Sequence, residues 1–160
     1  MKKTIVFAAL VLIPAALLAQ TKTFNGAWFE IKYPFTFTPR PSMKSATATT
    51  GYESAFFKSP DGLAEFYIYS PQWSGTPSDI SVKSSEKMTS ITSKTSGSVL
   101  VTWWTITAKN GSYTRTYQET MNNITNTNWI AGIKYKNQPA YAKYKKQYLA
   151  FKASLARFGD

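Results

Sequence analysis

The stretch from Ser98 to Thr120, SVLVTWWTITAKNGSYTRTYQET, limits the fold more than any other part of the chain. Two extended runs rich in Val, Thr, Ile, Trp and Tyr flank Asn110-Gly111. β-Branched and aromatic side chains suit the pleated, half-buried surface of a strand. Asn-Gly supplies the positive-φ positions of a tight hairpin turn. The spacing predicts that Ala108 faces Tyr113, Ile106 faces Arg115 and Trp104 faces Tyr117. One face of this ribbon then carries Leu100, Trp104, Ile106, Tyr113, Arg115 and Tyr117. The other carries Val99, Val101, Trp103, Thr114, Thr116 and Thr120. A chain that holds such a ribbon is built around an antiparallel sheet.

Further strands are predicted on both sides of it. In AWFEIKYP, Phe29, Ile31 and Tyr33 alternate with Trp28, Glu30 and Lys32. Tyr52–Lys58 and Leu63–Ser70 flank SPDG, a turn in which proline presets the backbone and Gly62 supplies a positive φ. The register predicted there sets Phe56 opposite Phe66 and Ser54 opposite Ile68. Phe56, Phe66 and Ile68 then face the core, and Glu53, Phe57, Glu65, Tyr67 and Tyr69 lie on the other face. A calcium loop at Asp61-Gly62 would need oxygen ligands at alternating positions and a late bidentate glutamate. Glu65, inside a strand, does not supply that pattern, so the stretch reads as a turn. NWIAGIKYK is one more strand. Residues 42–51 are small and polar and read as a loop. Around 78–93, Ile80, Met88 and Ile91 fall at helical spacing behind a capping Ser78 or Asp79, so a helix is predicted there, with a flexible linker as the alternative. In the tail, Tyr141, Tyr144, Tyr148, Phe151, Leu155 and Phe158 step by three and four. They predict an amphipathic helix that starts at Asn137 or Gln138, with Pro139 in its first turn.

The chain has 160 residues, a length that suits one domain. Its first stretch, MKKTIVFAALVLIPAALLAQ, joins two lysines to an apolar run that ends at the small Ala19. This is the pattern of a cleavable signal peptide over residues 1–19, with an uncleaved anchor as the alternative. No transmembrane segment is predicted in residues 20–160, which form the single domain. The location implied is periplasmic or secreted. Without cysteine, stability must come from packing and not from disulfides. Beyond Lys3 the chain carries 17 Lys and Arg against 8 Asp and Glu, a net charge of +9. A basic exported protein is drawn to anionic partners, or simply has a basic, solvated surface.

The order of these pieces resembles the PsbP-like family. The resembling stretches are WFEIKYP, FFKSPDGLAEFYIYSP, WWTITAKNGSYTRTY and YKKQYLAFKASLARF, spread over most of the chain after residue 19. The resemblance implies an α+β fold: an antiparallel β-sheet with helices packed on its faces, an α/β/α sandwich. It also implies a non-catalytic role, because the founding members are photosystem II accessory proteins and others are protein-binding modules. No functional residue is carried over from the family, and the lysine-led leader looks bacterial rather than plastidial.

The chain has no histidine and no cysteine, which removes histidine- and cysteine-based catalysis and metal sites. No nucleophile elbow, P-loop or dinucleotide fingerprint is present. No cofactor or metal is expected, and no enzymatic activity. The candidate ligand site is Arg115 between Tyr113 and Tyr117, a guanidinium among rings that suits a carboxylate or other anion. The alternative pairs Arg115 with Glu119 or with backbone carbonyls. Glu53 and Glu65 are the one carboxylate pair placed to interact, as a weak metal site or as a glycosidase would need, and the solvated reading competes with both. Trp73, Trp103 and Trp104 allow sugar stacking or ordinary packing. Nucleic acid is not expected as a partner, because the aromatics sit at core spacing. Lys143, Lys146 and Arg157 are predicted on the outer face of the tail helix, with Lys145 and Lys152 at its borders and Lys134 and Lys136 just before it, and any anionic contact is placed on this cluster, unless it is merely solvated. The function predicted is a secreted, non-catalytic binding or accessory module of the cell envelope, its partner an envelope protein. The alternatives are retention on an anionic polymer or membrane surface through the basic C-terminal helix, and an enzyme with a carboxylate site.

Overall fold

The structure, a computed structural model, describes residues 20–158. The leader predicted over residues 1–19 lies outside them. The elements are β1 (Thr21–Asn25), β2 (Phe29–Pro34), β3 (Thr38–Pro41), β4 (Ser54–Lys58), β5 (Ala64–Tyr69), a 3-10 turn at Ser78–Ile80, β6 (Glu86–Ser96), β7 (Val99–Ala108), β8 (Thr114–Asn122), β9 (Thr127–Tyr135), α1 (Gln138–Ala153) and β10 (Ala156–Arg157). Seven strands form one sheet in the order β3-β4-β5-β9-β8-β7-β6, and β1-β2-β10 form a second. Every pairing is antiparallel. The α+β, antiparallel fold class follows the sequence, and so does the main ribbon, with Ile106 opposite Arg115 and Trp104 opposite Tyr117.

Two predictions are corrected. The helix expected around 78–93 is absent. Only Ser78–Ile80 turns, and residues 86–96 run as the edge strand β6, paired along its length with β7. The segment EKMTSITSKTS is rich in Thr and Ser, which lose rotamer freedom or compete for backbone bonds in a helix. Gly97, at φ +58°, then turns the chain directly into β7. The hairpin at SPDG is also one residue longer than expected. Phe57 lies opposite Phe66 and Phe56 opposite Tyr67. It is therefore Phe57, not Phe56, that shares the core face with Phe66 and Ile68.

The core has two parts, one on each face of the large sheet. On the first face Phe57, Phe66, Ile68 and Ile133 pack against β2, through Phe29, Ile31 and Tyr33, and against α1, through Tyr144, Tyr148 and Phe151. The helix begins where it was read: the Asn137 side chain accepts from the Ala140 N–H at 3.0 Å, and Pro139 sits in the first turn. It ends at Ala153, so Leu155 lies past it and half-buried, and Phe158 is exposed. On the second face Tyr67, Tyr69, Ile106, Tyr117 and Ile130 pack under Ile80. That cover is an irregular segment around the 3-10 turn, where a helix had been expected.

Candidate binding cleft

The cleft lies on the second face of the large sheet, where β4, β5, β9 and β8 present Phe56, Glu65, Lys134 and Arg115, and the chain between β5 and β6 crosses above them. Arg115 and Tyr117 alternate onto this face because β8 is regular from Thr114 to Asn122. Glu86, the first residue of β6, is carried in from above.

The predicted trio Tyr113, Arg115 and Tyr117 is brought together, and Glu86 is the group that joins it. Arg115 Nε donates to Glu86 Oε1 at 2.9 Å and Nη2 to Glu86 Oε2 at 2.5 Å. Nη1 donates to the Ile80 carbonyl at 2.8 Å and to the Tyr117 hydroxyl at 2.9 Å, and Nη2 also donates to the Ser81 carbonyl at 2.9 Å. A guanidinium has five N–H groups, and all five are used. Tyr113 donates its hydroxyl to Glu86 Oε1 at 2.6 Å, and the Lys83 N–H donates to Oε2 at 2.8 Å. Burial alone would raise the Glu86 carboxyl. The hydrogen bonds from Arg115, Tyr113 and the Lys83 backbone outweigh that and hold it down at about 2. Burial pushes the Tyr117 hydroxyl up to about 12. The bond to backbone carbonyls follows the alternative drawn from sequence. The predicted carboxylate partner, Glu119, instead accepts from Asn128 Nδ2 at 2.6 Å.

A second, half-buried carboxylate is likewise occupied. Asp79 accepts from the Tyr67 hydroxyl and from Ser54 Oγ, each at 2.7 Å, and burial raises the Tyr67 hydroxyl strongly. Glu53 and Glu65 are not brought together. Glu53 is buried beside Ser70, where its carboxylate accepts from Ser45 Oγ and the Ala46 N–H. Glu65 lies five residues along the strand, about 16 Å away at about 3.3 Å per residue. Glycosidase carboxylates stand roughly 5–9.5 Å apart, so this pair does not have that geometry. Asp61 stays in its turn, accepting from the Leu63 N–H, Ser59, Lys143 and Tyr144. Among the described residues no group of three acids is placed to hold a metal ion.

What remains open to solvent is the mouth. The cleft encloses about 440 Å³ and joins a second hollow of about 320 Å³ through Glu65, Tyr113 and Lys134. Arg40 lies 4.4 Å over the Phe56 ring and Lys134 lies 4.1 Å over the Tyr113 ring. Lys83, Lys58 and Lys136 complete the rim. The cations predicted to form one cluster over residues 134–157 are therefore divided. Lys134 and Lys136 belong to the cleft. Lys143 is paired with Asp61 at 2.7 Å, and Lys146 is exposed on α1. Arg157 is on β10 and half-buried, 4.7 Å over the Trp129 ring, and does not point outward from a helix. The sequence reading missed Arg40, Lys83, Asp79 and Glu86. The signal for Glu86 was a charged residue at the head of a Thr-rich, strand-like run.

No protein-family profile and no curated protein matches the chain. Among solved structures it is similar to the solution structure of cyanobacterial PsbP (CyanoP) from Synechocystis sp. PCC 6803, with a TM-score of 0.53 over 91% of this chain and 97% of that one. The chain has a PsbP-like fold. At 7% identity the likeness speaks for architecture and leaves function to the site. No helix among the described residues of this PsbP-like domain is long and apolar enough to cross a membrane.

Proposed function

We infer that the protein is an exported, non-catalytic binding module that holds an acidic segment of an envelope protein in the basic mouth of its cleft. One observation carries the reading. The groups that would do chemistry in the cleft, Arg115, Glu86 and Asp79, are bonded to the protein itself, while five cations surround the opening and Glu65 is the acid that faces them. Catalysis needs a group poised to change protonation or to attack. Recognition needs only a shaped surface of complementary charge. Arg40 and Lys134 rest on aromatic rings, so less side-chain freedom is lost when they meet a carboxylate.

The reading is tested with a glutamate-rich peptide of about ten residues, by calorimetry at low and at moderate salt. The Arg40→Gln/Lys83→Gln/Lys134→Gln variant is expected to bind at least tenfold more weakly and with a flatter salt dependence. Equal binding by the variant, with an unchanged melting curve, would contradict it.

A further inference from the structure

The helix covers only part of the first face of the large sheet. It packs against β5 and β9, and β8, β7 and β6 extend beyond it. Their residues on that face are known from the register. In the central row Thr92, Trp103 and Gln118 lie side by side. Ser90, Thr105 and Thr116 form the next row. In a third, Thr107 lies opposite Thr114, with the Thr89 hydroxyl 3.5 Å from that of Thr107. The array is hydroxyl-rich, with rows about 7 Å apart along the strands and neighbours about 4.8 Å apart across them. This face is separate from the cleft, which lies on the opposite side of the same strands.

Trp103 stands in the middle, 40% exposed. Its ring is fixed: Nε1 donates to Gln118 Oε1 at 3.1 Å, and Lys152 Nζ, reaching over from α1, donates to the same oxygen at 3.0 Å. Gln118 Nε2 in turn donates to Thr120 Oγ1 at 3.3 Å. An exposed tryptophan held by one amide, itself held by Lys152 and Thr120, is pre-organised in a way that a ring merely left over from packing is not. Lys87 and Lys94 lie on the same face, opposite Thr107 and Val101. No acid of the described strands β6, β7 and β8 shares it: Glu86 and Glu119 both point to the cleft side, where Glu86 meets Arg115 and Glu119 meets Asn128.

We propose that this uncovered, Trp103-centred sheet face binds an acidic polysaccharide, a chain of pyranose rings that carry carboxylates. Each part of the surface answers to one part of that ligand. The C–H face of a pyranose packs on the negative face of an indole ring. The rows of threonine hydroxyls both donate and accept, as sugar hydroxyls do. Lys87, Lys94 and Lys152 complement the carboxylates. A single-stranded nucleic acid stacks successive bases on successive aromatics, and the face formed by β6, β7 and β8 carries one ring. A membrane surface would call for an apolar patch, and this array is hydroxylic.

The test is affinity electrophoresis and calorimetry of the protein without its leader against polygalacturonate, neutral dextran and poly(dT). Binding to polygalacturonate that weakens with salt is expected, with much weaker binding to dextran. Trp103→Ala is expected to lose at least tenfold and Trp103→Tyr to recover most of it. Lys87→Gln/Lys94→Gln is expected to bind more weakly with a smaller salt slope. Trp103→Tyr keeps a ring on the strand and should keep a melting curve close to the wild type, and Trp103→Ala is compared at a temperature where its own melting curve shows it folded. Amide shift mapping on the wild-type protein gives a second readout, with changes expected along residues 90–105 and 114–120. The Arg40→Gln/Lys83→Gln/Lys134→Gln variant should bind the polysaccharide normally, so failure of the cleft reading and failure of this one are separable. No binding to polygalacturonate at low salt, equal binding by Trp103→Ala, or poly(dT) bound as tightly with the same loss in Trp103→Ala would each overturn the proposal.

Discussion

Arg115 and Glu86 form a buried ion pair whose remaining donors and acceptors are satisfied by Tyr113, Tyr117 and three backbone groups. Removing one partner of such a pair leaves a buried charge alone, which costs about 3–5 kcal/mol. Arg115→Met is therefore expected to lose that much in denaturant unfolding, and Arg115→Met/Glu86→Leu to recover a large part. Equal stabilities for the single and the wild type would mean that the network is not structural. The pH dependence has a definite sign. The Glu86 carboxyl falls from 4.5 to about 2 on folding. Its contribution is fully present above pH 4.5 and is lost as pH falls toward 2. Glu86→Gln is expected to flatten the stability curve in that window while leaving its neutral-pH shape unchanged. At this scale half of the site was legible. The hairpin spacing placed Tyr113, Arg115 and Tyr117 together. Their acid was misassigned because Glu119 is close to Arg115 in number only. Four residues along a strand span about 13 Å, out of reach, whereas Glu86 is 29 positions upstream and meets the arginine across β7.

Among the elements, the two misreadings have one physical origin each. Met88 and Ile91 matched a helical period with too few points to exclude a strand, and both prove to be exposed on an edge strand. The composition of residues 86–96, with Thr89, Thr92, Thr95 and the β-branched Ile91 and no strong run of helix formers, held the better signal. The SPDG register slipped by one because β4 and β5 are buried on both faces, so alternation of apolar and polar residues could not fix which side chains point to the helix. Register along β9 is visible at Gly132. A Cβ built there would lie 2.2 Å from Tyr117 Cδ1, so the glycine is the space into which the tyrosine ring fits. A lone glycine inside a strand is a legible sign of such an approach. Gly132→Ala is expected to cost about 1–3 kcal/mol and to shift the amide signals of Tyr117 and Arg115. A neutral effect in the melt, with those signals unmoved, would show that the ring has room elsewhere.

Across the whole molecule, the sequence carried the sign of the charge but not its distribution. Lys134, Lys136, Lys143, Lys146 and Arg157 form one basic block in the sequence. The chain passes from the cleft side of β9 to a helix on the opposite face, and then to a strand of the second sheet. The proposed export is also tested on the whole molecule. The protein recovered from outside the cytoplasm of a bacterial host is expected to begin at Gln20 by mass spectrometry, and retention of Met1 or Lys2 would contradict the signal-peptide reading. The central claim is that the rim of the cleft binds while its buried arginine stays locked. It is tested most directly by following the backbone amides and the Arg115 Nε–H in an NMR titration with the glutamate-rich peptide. The expected result is a saturable set of shifts at Arg40, Lys83, Lys134 and Lys136, lost at high salt, with the Arg115 Nε–H position and its slow exchange unchanged. Shifts confined to α1 around Lys143 and Lys146, or an Arg115 Nε–H that moves and exchanges on binding, would contradict it.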